Sequence, residues 1–108
     1  MATGRVIDDP VLARVRKGLD AIYGAQLERV VLYGSRARGD AHEDSDYDVG
    51  VFLHDMGYYF DEVKRLADLS VDILDETGEW VHARPYHAGS YADGTPLMLN
   101  LSTDGIDL

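Results

Sequence analysis

Apolar positions along the chain change period several times, and each change marks an element. Val11, Leu12, Val15, Leu19, Ile22 and Tyr23 recur at helical spacing, while Arg14, Arg16, Lys17 and Asp20 occupy the other face. Asp9 ahead of Pro10 supplies a capping acid and then a proline whose missing N–H costs nothing at the first helical position. Gly24 can close the helix in a left-handed turn, so the pattern predicts an amphipathic helix between these signals. The run Arg29 to Tyr33 (RVVLY) is β-branched and almost continuously apolar, as in a strand covered on both faces, and Gly34 ends it.

Arg36 to Ser45 is polar and reads as a short turn or helical stub followed by a loop, with Asp40, Glu43 and Asp44 making the loop acidic. From Asp46 to Leu53 (DYDVGVFL) the chain alternates. Tyr47, Val49, Val51 and Leu53 point one way, and Asp46, Asp48, Gly50 and Phe52 the other. Tyr58 to Leu69 is helical in period, with Tyr59, Val63, Leu66 and Ala67 as its apolar stripe and Glu62, Lys64, Arg65 and Asp68 toward solvent. Val71 to Leu74 reads as a short strand with Asp72 opposite Val71 and Ile73. A turn from Asp75 to Glu79 through Gly78 leads to a fourth strand, Trp80 to Arg84, so that the two resemble a hairpin. After a loop from Pro85 to Gly94, Thr95 and Pro96 repeat the cap-and-proline signal, and Leu97, Met98 and Leu101 form a brief helical stripe ending near Gly105. No internal repeat or low-complexity tract interrupts the series.

At 108 residues, with 45% hydrophobic side chains, the chain is expected to form a single domain around one core, residues 1–108. Twenty acidic against ten basic side chains give a formal charge of -10, which disfavours non-specific binding of nucleic acid. One nucleotide can still bind if the site supplies its own positive charge, because distant charge is screened over about 8 Å at physiological salt. The absence of cysteine excludes disulfides and Cys-based metal or redox sites. MATGRVIDDP lacks the apolar core of a signal peptide, and no apolar run nears the roughly 20 residues a membrane span needs, so a cytoplasmic protein without membrane contact is expected.

The chemistry gathers at one spacing. Gly34-Ser35 leaves the first strand, ten residues follow, and Asp46-x-Asp48 opens the second. Gly34 lets backbone approach a ligand, and Ser35 can present a hydroxyl and start a turn whose N–H groups suit phosphate oxygens. Asp46 and Asp48, about 6.5 to 7 Å apart along one pleated face, suit cations held roughly 3.5 to 4 Å apart. Magnesium takes such oxygen ligands together with substrate phosphates. Sites of this kind gather where strands leave and enter loops in mixed α and β domains.

The segment GSRARGDAHEDSDYDVGVF resembles the signature of the DNA polymerase β nucleotidyltransferase superfamily, and of its minimal nucleotidyltransferases in particular. The resemblance implies an α+β domain, a small mixed β-sheet backed by helices, that binds ATP or another NTP with two Mg2+ ions. It implies Gly34, Ser35, Arg36 and Arg38 as nucleotide-binding residues and Asp46 and Asp48 on the metals. It also implies a third carboxylate from the next strand that joins the metal ligands and helps activate the attacking hydroxyl, matched here by Asp72 in SVDIL. Minimal nucleotidyltransferases are commonly paired with a small helical HEPN protein as a toxin–antitoxin module, which makes a HEPN-type toxin the expected acceptor of AMP.

Plainer roles compete at each position. Asp46 and Asp48 could belong to a solvated acidic loop, although a carboxylate within an apolar strand is costly without a partner. Asp72 could be an edge-strand acid facing water, Ser35 a turn residue, and Arg36 and Arg38 solvated turn charges. His42, His54, His82 and His87 show no paired ligand spacing and receive no catalytic role. Trp80, Tyr86 and Tyr91 suit a core or a partner surface equally. The rival function is a catalytically inactive nucleotide- or partner-binding module with the same fold.

Overall fold

The computed structural model describes residues 9–42 and 45–108; Glu43 and Asp44 of the acidic loop, and the chain before Asp9, lie outside the described residues. Helix α1 (Pro10–Tyr23) begins as its sequence dictates: the Asp9 carboxylate accepts from the Val11 N–H at 2.8 Å. A single 3-10 turn joins it to β1 (Leu27–Tyr33). The one-turn helix α2 (Ser35–Arg38) follows Gly34 and is closed by Gly39 in the left-handed region. Strand β2 (Tyr47–Leu53) runs antiparallel to β1, with Tyr33 opposite Asp48 and Val31 opposite Gly50.

The next segment corrects the sequence expectation. Val71–Leu74 is not a strand; it continues helix α3, which spans Tyr59–Thr77. The buried positions Glu62, Leu66, Leu69, Ser70 and Ile73 keep helical spacing through the SVDIL segment. Gly78, at φ 78, then closes the helix with its N–H donating to the Leu74 carbonyl at 2.8 Å. The hairpin therefore does not exist. Strand β3 (Val81–His87) instead lies parallel to β2, with α3 as the crossover and His82 opposite Asp48. The Ser70 hydroxyl donates to the Val81 carbonyl at 2.7 Å and fastens the crossover to the strand it precedes.

Helix α4 (Pro96–Asp104) starts at Thr95, whose hydroxyl accepts from the Met98 N–H. A two-residue strand β4 (Ile106–Asp107), without a signal in the sequence pattern, pairs with β1. The sheet order is β3-β2-β1-β4, mixed as expected, and the α+β architecture stands. On one face Val30, Leu32, Val49, Val51, Leu53 and Val81 pack with α1 and α3 into the main core. On the other, Val31 and Phe52 pack with Met98 and Leu101 of α4 into a smaller cluster, joined by Tyr33, Tyr86 and Tyr91. Gly105 allows the chain to turn from α4 into β4 there, since a Cβ would meet the Tyr91 hydroxyl at 2.6 Å and the Leu101 carbonyl at 2.7 Å.

Candidate active site

The strand alternation predicted for β2 holds. Tyr47, Val49, Val51 and Leu53 enter the main core, and Asp48 stands on the opposite face, the one that carries the Phe52 cluster, with Tyr33 across from it. Asp46 is exposed just ahead of the strand, and Asp48 is half-buried. Gly34 explains itself at this point. Its φ of 75 and ψ of -157 lie in a region that is essentially glycine's alone, and a Cβ would stand 2.5 Å from Asp48 Oδ2. The turn that carries Ser35 therefore lies directly against the Asp48 carboxylate, which is what the Gly-Ser and Asp-x-Asp spacing predicts.

Burial raises the Asp48 carboxyl above the ordinary range; the nearby His82 opposes the shift, Asp46 adds to it, and Arg84 and Arg38 pull it down. His82 Nδ1 stands 4.0 Å from Asp48 Oδ1, beyond hydrogen-bond distance. Tyr33, across the strand pair, has its phenol pushed up to about 12 by burial, with Tyr86 and Asp48 contributing. Asp48 is thus a carboxylate drawn partly out of water beside a second acid, and a divalent cation is the partner that such a pair fits. Among the described residues, no group of three or more His, Asp or Glu side chains is arranged to hold a metal ion. The donor set accordingly fits a cation shared with substrate phosphates and does not supply the third acid that the resemblance implies.

Asp72 is the clearest departure. It lies on the exposed side of α3, in a groove of about 710 Å3 against α1 with Arg14, Lys17 and Glu76, and the charge it acts on is Arg14. The helix, not a strand, carries it there, so it does not join Asp46 and Asp48. Arg36 is engaged within the protein: its guanidinium donates to the Ser45 carbonyl at 2.9 and 3.0 Å, pairs with Glu79 at 3.3 Å and lies 4.1 Å from the centre of the Tyr47 ring. It holds the loop before β2 in place. Arg38 is exposed, pairs with Asp40 at 3.2 Å and Asp104 at 3.6 Å, and still lowers the Asp48 carboxyl. The residues missed by sequence reasoning are His82 and Arg84. Extending the helical stripe through Ile73 would have left the strand after Trp80 to pair with β2, and its alternation places these two beside the acids.

Residues 12–86 match the family model for the nucleotidyltransferase domain. That is more than half of the chain, and the chain belongs to this nucleotidyltransferase family. A Methanocaldococcus jannaschii protein assigned as a protein adenylyltransferase is 39% identical over 46 residues, 43% of this chain and 46% of that relative, so the match spans less than half of the relative's length. Three crystal structures share the fold. A toxin–antitoxin with AMP-PNP aligns with a TM-score of 0.63 at 18% identity, covering 88% of this chain and 69% of that one. A mutant of the toxin–antitoxin MntA–HpeT aligns at 0.61 and 16% identity, with the same coverage of 88% and 69%. A Sulfolobus solfataricus protein assigned as a nucleotidyltransferase aligns at 0.56 and 18% identity, covering 96% of this chain and 90% of that one. At these identities the structural likeness speaks for the fold alone, the polymerase-β-like nucleotidyltransferase fold.

Proposed function

We propose that this chain transfers AMP from ATP, or NMP from another NTP, to a hydroxyl group in a Mg2+-dependent reaction, and that the hydroxyl belongs to a small helical HEPN-type toxin paired with it in the cytoplasm. The observation that carries the reading is the Gly34-Ser35 turn packed against Asp48, with Asp46 beside it, in a chain of the nucleotidyltransferase family. The partner reading draws support from the toxin–antitoxin neighbours. Among the described residues no helix is long and apolar enough to cross a membrane.

Magnesium, when bound, supplies Lewis-acid charge on the phosphate oxygens. Asp46 and Asp48 are the residues that would hold it. Gly34 keeps the backbone of the turn close to the Asp48 carboxylate, and the Ser35 hydroxyl and the Arg38 guanidinium would offer donors to phosphate oxygens. The acceptor oxygen then bonds to the α-phosphorus, the bond to the bridging oxygen of the β-phosphate breaks, pyrophosphate leaves and the hydroxyl proton passes to solvent. The cluster of Phe52, Tyr86 and Tyr91 walls the far end of the same sheet face.

The test is to co-express the chain with the product of its neighbouring gene and weigh the partner by intact mass spectrometry. One AMP is expected on the partner, dependent on Mg2+ and lost in Asp46→Asn and Asp48→Asn. Addition that persists in both variants defeats the reading. The missing third carboxylate favours one alternative, a module that binds NTP and magnesium without transfer; it predicts a melting shift with both ligands and no AMP on any acceptor.

A further inference from the structure

The strand register around Asp48 leaves it flanked on its own face by Tyr33 from β1 and His82 from β3, with Arg84 two residues farther along β3. Neither flanking residue is an acid. His82 Nε2 accepts from the Arg84 Nε–H at 3.4 Å, and its Nδ1 faces Asp48 Oδ1 at 4.0 Å. The Nε2 lone pair is thereby engaged by Arg84. The neighbouring acid Asp104 is paired with Arg38, and Asp72 faces α1.

Resting on the nucleotidyltransferase reading, we infer that this site takes one divalent cation per bound nucleotide, held by Asp46 and Asp48, because β3 sets His82 and Arg84 where a second cation would need a carboxylate. Two divalent ions roughly 3.5 to 4 Å apart repel strongly and are held together by acids that face both. Among the described residues the site brings this one pair of acids, and its third flank brings an imidazole and a guanidinium.

The count can be read without turnover. The full chain is incubated with Mn2+ and AMP-PNP and separated by ultrafiltration, and the metal and nucleotide retained with the protein are measured against each other. A ratio of one is expected for the wild type and for His82→Asn, and a ratio of two for His82→Asp, whose exposed position tolerates the change. A wild-type ratio of two overturns the inference while leaving the nucleotidyltransferase reading intact. A ratio of one in His82→Asp overturns the role given to β3. Retention of neither metal nor nucleotide by the wild type overturns the nucleotide site itself, and the inference with it.

Discussion

On the face of the sheet turned to α1 and α3, Val30, Leu32, Val49, Val51 and Val81 are each 1% exposed or less, whereas on the opposite face of the same strands the His82 side chain is 47% exposed and that of Asp48 33%. The first face is closed by two long helices whose own stripes meet it, with Gly18 letting α1 approach Leu69 of α3 so closely that a Cβ would stand 2.6 Å from its methyl. The second is closed only over Val31 and Phe52, by the short helix α4, and left open at Asp48. Strand alternation makes both possible at once: each residue that adds to the core forces its neighbours to the other side. The difference teaches that stability and chemistry are carried by the same strands and can be perturbed separately.

That separation can be broken most severely from the closed face. Ile73→Ala, fully buried against the sheet, is expected to cost about 2 to 5 kcal/mol in urea unfolding. A loss under about 1 kcal/mol would mean that the SVDIL segment is not helical core. Gly34→Ala probes the border between the faces. Its backbone region and the collision with Asp48 predict a loss of about 1 to 3 kcal/mol together with weaker retention of AMP-PNP, and unchanged stability would place the turn elsewhere.

Asp48→Asn sharpens the comparison because stability and function should move in opposite directions. Removing a partly desolvated charge is expected to raise the melting temperature of the ligand-free chain. The same variant should lose the stabilisation that Mg2+ and ATP give the wild type, about 2.7 kcal/mol at a hundredfold excess over Kd. A drop in ligand-free stability would show that Asp48 has a structural partner. The smallest effect belongs to Asp72→Asn, expected within about 0.5 kcal/mol of wild type and with AMP transfer retained, since the residue is exposed and faces Arg14. Loss of transfer in this variant would restore Asp72 to the site.

Most of the elements were legible in the sequence for local reasons. Asp9 and Thr95 announce the helices they cap, and the alternation of DYDVGVFL separates core from site in β2 without knowledge of its neighbours. Gly34, Ser35, Asp46 and Asp48 were legible because a turn at a strand exit and two same-facing acids at the next strand's entry are set by short spacings. SVDIL was misread because four residues of alternating polarity suit a strand or the end of a helix equally, and length must arbitrate. The surroundings of Arg36 were not legible because the sequence cannot say that Ser45, Glu79 and the Tyr47 ring stand around it.

The sequence by itself determined an α+β chain of the nucleotidyltransferase family with paired carboxylates behind a Gly-Ser turn, since each of those features depends on residues close along the chain. Only the tertiary structure decided what stands beside the pair. The α3 crossover makes β3 parallel to β2, and the register of that pairing brings His82, distant along the chain, opposite Asp48 while the continuing helix carries Asp72 away. A register fixed by the fit of α3 between two strands and α1 is a property of the packed whole, which no local pattern encodes.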